Sequence, residues 1–549
     1  MAMCRLASLG GPSYAIVQCY GPINSMTIHH RSGSRRGQWL AGRPGLVLLA
    51  GLTLVYLSLS PLVLFDRGYV IGFFGVANRM VNDIEHLFGC APTFQPIGTT
   101  MHGLIEPVID IPFVWLGRLL GGPYDGLYGG PDTLLSVEPV LETALICTVI
   151  FAWVRKITSS TSWAYVLAMA AGFTTMLWAY AYISLETTQS LFLILSGYLV
   201  LGNEKKGLWK TIAVTGCCAI ACSVKSSGIF LVPAIAYLVY VYSWEDGAFR
   251  WGRLAGIGLV CLAIFGANRY AQLQSSTYVY IWHGASGLFA WSRTTPIMAV
   301  LNVPSMFLSI NKGLLIYSPI LLLSLAGLKA TYQAEPRLAI FALLALGGIV
   351  CGIGITFYWA DECWGPRYLC ASVAPLVVCL GAAKGHFEFH WRKQIPLLIL
   401  MTLGVCVSAL GALFYYHDLH VAAMRAQPLT IEDLLHQVEW NPIRFDAQLL
   451  RLWVQNRILG KHVDEYWPPP GHDWTLHKAS PITPVNLRPI AVPQGFIFEP
   501  KKHWSSWPDR IKWSVCCLSL VLGVVVLVAL GRQSFASPQN TPAPDCGTG

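Results

Sequence analysis

Apolar residues gather in blocks of about 16 to 22 with almost no charge inside them, the length a helix needs to cross a hydrocarbon core of about 30 Å. Twelve such blocks can be drawn, at 44–65, 137–154, 163–183, 187–202, 210–224, 228–243, 253–270, 314–330, 337–357, 367–384, 395–416 and 512–531. In lipid every backbone polar group must be satisfied inside its own segment, so the blocks predict helices. The predicted fold class is an all-α polytopic membrane protein with about 12 transmembrane helices.

Three stretches interrupt the alternation. Residues 66–136 form a long polar, glycine-rich connection. Within it Val70, Phe73, Phe74, Ala77, Val81, Ile84 and Phe88 recur at helical spacing opposite Asn78, Arg79, Asn82 and Glu85, predicting a helix that lies in the interface. Residues 104–120 predict a second such helix, too short to cross and carrying Glu106, Asp110 and Arg118. Residues 417–511 hold Trp467, Pro468, Pro469, Pro470, Trp474, Trp504 and Trp507, too polar to cross and large enough for a small extra-membrane unit. The expected organisation is therefore a poorly ordered tail at 1–43, a core of eleven spans at 44–416, an outer segment at 417–511, a last transmembrane helix at 512–531 and a disordered tail at 532–549.

Composition agrees with a bilayer as solvent. Of 549 residues 54% are hydrophobic and 12% charged, roughly half the charged fraction of a soluble protein. The net charge of +9 sits in short clusters between the blocks and not along one stripe, which argues for topology and against nucleic acid. Alternate connections carry the basic residues: Arg31, Arg35, Arg36 and Arg43, then Arg155 and Lys156, Lys205 and Lys206, Arg250 and Arg253, Lys329 and Arg337, Lys384, Arg392 and Lys393, and Arg532. The positive-inside rule then places both termini in the cytoplasm and the loops 66–136, 271–313, 358–366 and 417–511 on the outer face, in a bacterial inner membrane or its equivalent. Most of the sixteen Cys lie inside apolar blocks, where they behave as small hydrophobes. Only Cys90 and Cys363 fall in the predicted outer loops, and these two are open to a bridge.

The candidate chemistry collects at the outer ends of the spans. Asp66 and Arg67 stand where the first span leaves the membrane, as an interfacial anchor or, for Asp66, as a partly desolvated general base. The segment from Tyr358 to Tyr368 compresses Asp361, Glu362, Trp359, Trp364, a Gly-Pro turn and Arg367 into one connection. An aromatic belt with a turn accounts for part of this. Arg367, however, opens a span on the side that otherwise avoids Arg, where a phosphate oxygen would suit it. Lys312 opens another span in the same way. Glu186 and Lys225 each join two spans with almost no loop, and either serve a site or pair with each other. His102 and Glu106 share a helix face at i and i+4 and are candidates for acceptor or metal.

The motifs of nucleotide chemistry are missing: no GxxxxGK[ST] cradle, no GxGxxG and no Asp-x-Asp pair occur. The sequence calls for no cofactor and leaves a divalent metal open. The candidate acids and bases sit on the face where activated sugars are lipid-linked. A flippase for lipid-linked glycans would instead show an internal repeat with broken midplane helices, and a scaffold would need no site.

The order of these motifs resembles the multispan glycosyltransferases of the GT-C superfamily, which include protein O-mannosyltransferases and the bacterial enzymes that add aminoarabinose to lipid A. The resemblance covers roughly residues 44–384. It rests on Asp66 after the first span, an interfacial helix in a long first loop, His102, Gly103, Glu106, Ile111, Pro112 and Phe113, the start of a span at Lys312 to Pro319, and Trp364 to Tyr368. It implies a transferase of the cell envelope that moves a sugar from a polyprenyl-phosphate donor to a hydroxyl acceptor by inverting displacement. Asp66 would be catalytic, Arg367 and Lys312 would bind the donor phosphate, and His102, Glu106, Asp361, Glu362 and Trp364 would meet substrate. The partners expected are that lipid donor, membrane lipids and a glycan, lipid or protein acceptor.

Overall fold

The computed structural model describes residues 43–60, 77, 79–81, 83–84, 86, 103–121, 137–182, 186–202, 207–245, 247–274, 296–354, 364–384, 391–414, 441–467, 485–487 and 507–536. Its helices are α1 (Arg43–Leu59), α2 (Ile105–Gly121), α3 (Val137–Thr158), α4 (Thr161–Thr174), α5 (Leu177–Tyr180), α6 (Glu186–Leu201), α7 (Leu208–Ser223) and α8 (Val232–Ser243). They continue with α9 (Trp251–Leu273), α10 (Pro296–Leu308), α11 (Leu314–Tyr317), α12 (Leu321–Ala326), α13 (Leu328–Ala334), α14 (Pro336–Gly354), α15 (Cys370–Ala382), α16 (Trp391–Leu413), α17 (Pro442–Trp453) and α18 (Trp507–Ala536). Two hairpins of two-residue strands, Trp244–Glu245 with Ala248–Phe249 and Tyr466–Trp467 with Val485–Asn486, are the described exceptions to an all-helical chain.

Among the described residues five helical segments are long and apolar enough to cross a membrane: Val137–Thr158, Trp251–Leu273, Pro336–Gly354, Gln394–Leu413 and Trp513–Phe535. Pro44–Leu59, Leu208–Ser223, Ser227–Ser243 and Arg367–Ala382 are shorter and apolar. The twelve predicted spans thus resolve into five full-length helices, shorter ones and two that are broken. The block at 163–183 breaks after α4, and the broken ladder is repaired from neighbours: Ser318 Oγ accepts from Met176 N at 3.0 Å, and Ser408 Oγ donates to Thr175 O at 2.9 Å. Without such partners an interrupted helix in lipid would leave costly bare backbone groups. The block at 314–330 breaks because Ser318 precedes Pro319 and is driven out of helical geometry, with φ −143 and ψ 66.

Helix α3 is the hub, buried along most of its length and packed against α1, α4, α6 and α15. Its direction orders the bundle. It begins at Glu138 and ends at Arg155 and Lys156, where Lys156 Nζ donates to Gly202 O just past the end of α6. The neighbours alternate accordingly: α6 and α15 start at the same end as α3, whereas α7, α9 and α14 finish there. Lys210, Arg253 and Arg337 lie at the far end, near the exposed Trp209 and Trp251. Arg155, Lys156, Lys210, Arg253 and Arg337 therefore collect at one end of the bundle, whereas Arg269 stands near the opposite end of α9. Helix α18, outside the 44–416 core of the sequence reading, packs directly on α1, where the backbone of Gly51 meets Gly523 and the Leu527 side chain.

Candidate functional site

The bundle end opposite the basic loops gathers ionisable side chains from five segments. Glu186 opens α6, Lys225 follows α7, and Arg367 opens the turn before α15. Lys225 Nζ hydrogen-bonds Glu186 Oε1, and Arg367 Nε lies 3.8 Å from the same oxygen. Glu186 and Lys225 are each 4% exposed, while the Arg367 side chain is 16% exposed and so reaches the surface. The Tyr368 ring covers both cations, with Lys225 Nζ 4.6 Å and Arg367 Cζ 5.2 Å from its centroid. The pairing of Glu186 with Lys225, one of two readings left open by the sequence, is what the structure shows. Arg367 joining them was not foreseen.

The two residues after Glu186 carry the site onward. Thr187 Oγ1 donates to Glu142 Oε2 at 2.8 Å, and Thr188 Oγ1 lies 2.9 Å from the same oxygen and 3.3 Å from Glu106 Oε1. Glu106, Asp110, Glu138 and Glu142 are all buried. On α2, burial and then the neighbouring Glu106 charge push the Asp110 carboxyl well above the usual carboxylate range, opposed by its hydrogen bond with Glu138. No three His, Cys, Asp or Glu among the described residues are arranged to hold a metal.

What holds α2 against the bundle is Asn268 of α9. Its Oδ1 accepts from Leu104 N at 2.7 Å and from Ile105 N at 3.3 Å, capping the helix from another segment, and its Nδ2 donates to Ser223 O at 2.6 Å. Gly103 permits this approach. It adopts φ +91, and a Cβ there would lie 2.2 Å from Asn268 Oδ1. Further along α2, Val114 packs with Ala77 and Val81, and Ile111 and Phe113 lie against them, so the described part of the predicted interfacial helix docks on the second one.

Of the residues expected from the sequence, Glu106 and Arg367 lie in this cluster. Lys312 is buried in the turn before α11, next to Asn311, whose carbonyl accepts from Tyr317 Oη at 2.7 Å. The Lys312 segment meets the Arg367 segment through the Tyr317 and Trp364 rings, edge to face at 5.1 Å. Trp364, expected to meet substrate, is fully buried on Tyr317, with its backbone carbonyl accepting from Tyr180 Oη at 2.8 Å and its ring against the backbone of Gly411. Its size lets it lock the turn from within. Gly365 beside it has φ +61, and a Cβ there would lie 2.8 Å from the Tyr317 ring. Asp66, His102, Asp361, Glu362, Cys90 and Cys363 lie outside the described residues.

Sequence reasoning missed Glu138, Glu142, Thr187, Thr188 and Asn268. Two acids one turn apart at the start of an apolar helix are a signal of the same kind as Arg367, because each ionisable group in a span needs a reason. Asn268 carried none, since a single Asn late in a long apolar helix looks like a helix end.

No family model matches the chain, and no curated protein does. Among solved structures the chain is similar to ArnT from Cupriavidus metallidurans bound to undecaprenyl phosphate. The identity is 14% and the TM-score 0.42, with 91% of this chain and 78% of that chain covered. It is also similar to the apo state of the same protein, at 14% identity and a TM-score of 0.43, with 89% and 76% covered.

Proposed function

We propose that the chain is a membrane glycosyltransferase of the GT-C type, moving a sugar from a polyprenyl-phosphate donor to a hydroxyl acceptor at the outer face by inverting displacement. One observation carries the reading: two cations from different segments, Lys225 and Arg367, converge on one buried carboxylate at the bundle end that the basic loops avoid. Burying such a group costs several kcal/mol per ion in general, so ionisable residues inside a membrane bundle are kept where they do chemistry. The positive-inside rule puts that end on the outer face, where sugars come attached to lipid phosphates.

Displacement at an anomeric carbon needs a base for the attacking hydroxyl and stabilisation of the departing phosphate. In this reading Asp66 is the base, and Arg367 and Lys312 meet the phosphate, each electrostatic contact of this kind being worth about 3 kcal/mol in the transition state. Glu106, His102, Asp361 and Glu362 remain for the acceptor. The reaction requires no cofactor in this scheme.

The test is release of polyprenyl phosphate when purified protein meets polyprenyl-phosphate sugars. Asp66→Asn should lower the rate by about 100-fold, and a near-parental rate would move the base elsewhere. Arg367→Lys should keep the charge but lose the planar fork, weakening donor binding by about 1 to 3 kcal/mol. A parent protein that releases polyprenyl phosphate from no donor sugar sinks the reading.

A further inference from the structure

Opposite the Glu186 cluster, at the basic end of the bundle, charge and aromatic surface are drawn together. Helix α8 ends there in the hairpin of Trp244–Glu245 with Ala248–Phe249, and α7 and α9 both begin there. Alternate residues of a strand take opposite faces, so Trp244 and its partner Phe249 share one face of the hairpin and Glu245 takes the other. On the first face Tyr240, Trp244, Phe249 and Trp251 form one aromatic cluster, with neighbouring ring centroids 4.6 to 6.3 Å apart. On the second, Glu245 Oε2 lies 2.8 Å from Arg253 Nη2 and 3.7 Å from Arg250 Nε. The buried Tyr242 ring draws in cations as well: Arg253 Cζ stands 5.3 Å and Lys210 Nζ, from α7, 5.4 Å from its centroid. Tyr242 Oη and Thr211 Oγ1, 3.0 Å apart, fix the start of α7 beside the end of α8. Over the two connections and helix starts, 203–210 and 244–253, the sequence holds Lys205, Lys206, Lys210, Arg250 and Arg253 against Glu204, Glu245 and Asp246, a surplus of two positive charges. Neither α7 nor α9 is closed by a side-chain cap, so the positive ends of two helix dipoles add to the same sign.

We propose that this surface binds one anionic phospholipid of the surrounding leaflet, with the headgroup held by Lys210, Arg250 and Arg253 and the acyl chains laid along the apolar faces of α7 and α9. The rings set the depth. Trp209 and Trp251 are 82% and 72% exposed, an unfavourable arrangement in water and a favoured one at the level of lipid headgroups, where an aromatic ring meets both phases. Further along the same helices the exposed Ile212 of α7 and Leu259 and Leu262 of α9 continue the apolar surface into the hydrocarbon. A free anion would use the cations alone, whereas a lipid uses both parts. Arginine suits the headgroup phosphate because its planar fork can take two oxygens at once. The positive-inside rule accounts for Lys and Arg being retained at this end, but not for their being brought onto one ring and one carboxylate within a frame of exposed Trp. The lipid site stands whether or not the chain is a transferase.

The experiment measures equilibrium binding of fluorescent-tailed phosphatidylglycerol to the purified full-length chain in a neutral detergent. The competitors are phosphatidylglycerol, phosphatidylcholine with the same acyl chains, and inorganic phosphate. A basic residue at a membrane surface is worth about fivefold in affinity for anionic lipid, so a surplus of two should favour phosphatidylglycerol over phosphatidylcholine by about 25-fold. Lys210→Gln with Arg250→Gln removes that surplus and should abolish most of the preference, whereas Lys210→Arg with Arg250→Lys should keep it. Arg155→Gln, at the same bundle end but on α3, should leave it unchanged. Trp209→Ala with Trp251→Ala should weaken both lipids and spare their ratio. If the neutral pair fails to fold, the parent decides: raising the ionic strength from about 0.1 to about 1 M shortens the screening length from about 10 to about 3 Å and should erase the preference. A parental preference in Lys210→Gln with Arg250→Gln, a preference indifferent to salt, an equal loss in Arg155→Gln, or phosphatidylcholine binding as tightly as phosphatidylglycerol in the parent overturns the inference. Inorganic phosphate that displaces the tagged lipid as well as phosphatidylglycerol does makes this a site for free anions and overturns the assignment to lipid.

Discussion

Replacing Asn268 by Ala removes the only described link that both caps α2 and ties it to the end of α7. The variant loses two acceptor contacts, at 2.7 and 3.3 Å, and one donor contact at 2.6 Å, all at a residue 4% exposed. Loss of an Asn cap costs about 1 kcal/mol. The Ser223 carbonyl, deprived of its donor inside the protein, adds about 1 to 3 kcal/mol. The local opening energy of α2 should therefore fall by at least about 2 kcal/mol, which is about 30-fold faster amide exchange. Hydrogen exchange of peptides covering 104–110 measures it in detergent. Asn268→Asp separates the two halves: it keeps the acceptor, so 104–110 should stay protected, but it sets a carboxylate against Ser223 O, so the end of α7 should loosen. Parental exchange across 104–110 in Asn268→Ala would refute the cap and with it the account of what positions Glu106 and Asp110.

Thr188→Val keeps the branched shape but removes the one hydroxyl proton that Glu142 and Glu106 share; it should cost about 1 to 3 kcal/mol in thermal unfolding, and Thr188→Ser should recover most of it. Asp110 has a raised folded-state carboxyl, so its stabilising contribution is whole below the unfolded value near pH 4 and is lost as pH rises through the folded one. Asp110→Asn should therefore flatten the decline of melting temperature with rising pH, and an unaltered profile would contradict the burial. Gly365→Ala forces a Cβ against Tyr317 at φ +61 and should destabilise the protein by about 1 to 2 kcal/mol or more, with Arg367 displaced and lipid phosphate binding weakened; a parental melting point and parental binding would count against the strained turn.

The legible part of this fold was what lipid itself imposes. Apolar block length located α1, α3, α6, α7, α9, α14, α15, α16 and α18 within a few residues, because hydropathy and helix length are local properties. The breaks at Thr175 and Ser318 were harder. Pro319 is a local signal for the second, but the first depends on Ser318 and Ser408 arriving from distant helices to repair the ladder. The site divides in the same way. Arg367 stood out because it opens a span on the side where the sequence reading found few basic residues, whereas its meeting with Glu186 and Lys225 depends on segments far apart in the chain. Trp364 looked like an interfacial ring because composition cannot tell a Trp at a membrane surface from one closed over by Tyr317 and Gly411. Asn268 matters only through its partners Leu104 and Ser223, which no spacing along the chain brings together.

The contact between α1 and α18 has a consequence for biogenesis. Gly51 lies against Leu527 and Gly523, and Tyr165 Oη donates to Leu527 O at 2.7 Å. Helix α1 thus has a partner that is made only after every other described helix. During insertion the flank of α1 carrying Gly51 must be shielded by lipid or by an insertion chaperone until α18 emerges, and docking of these two helices is a late event in assembly. A ribosome stalled before residue 507 would leave that seam open, a state that quality-control proteases could distinguish from the finished protein.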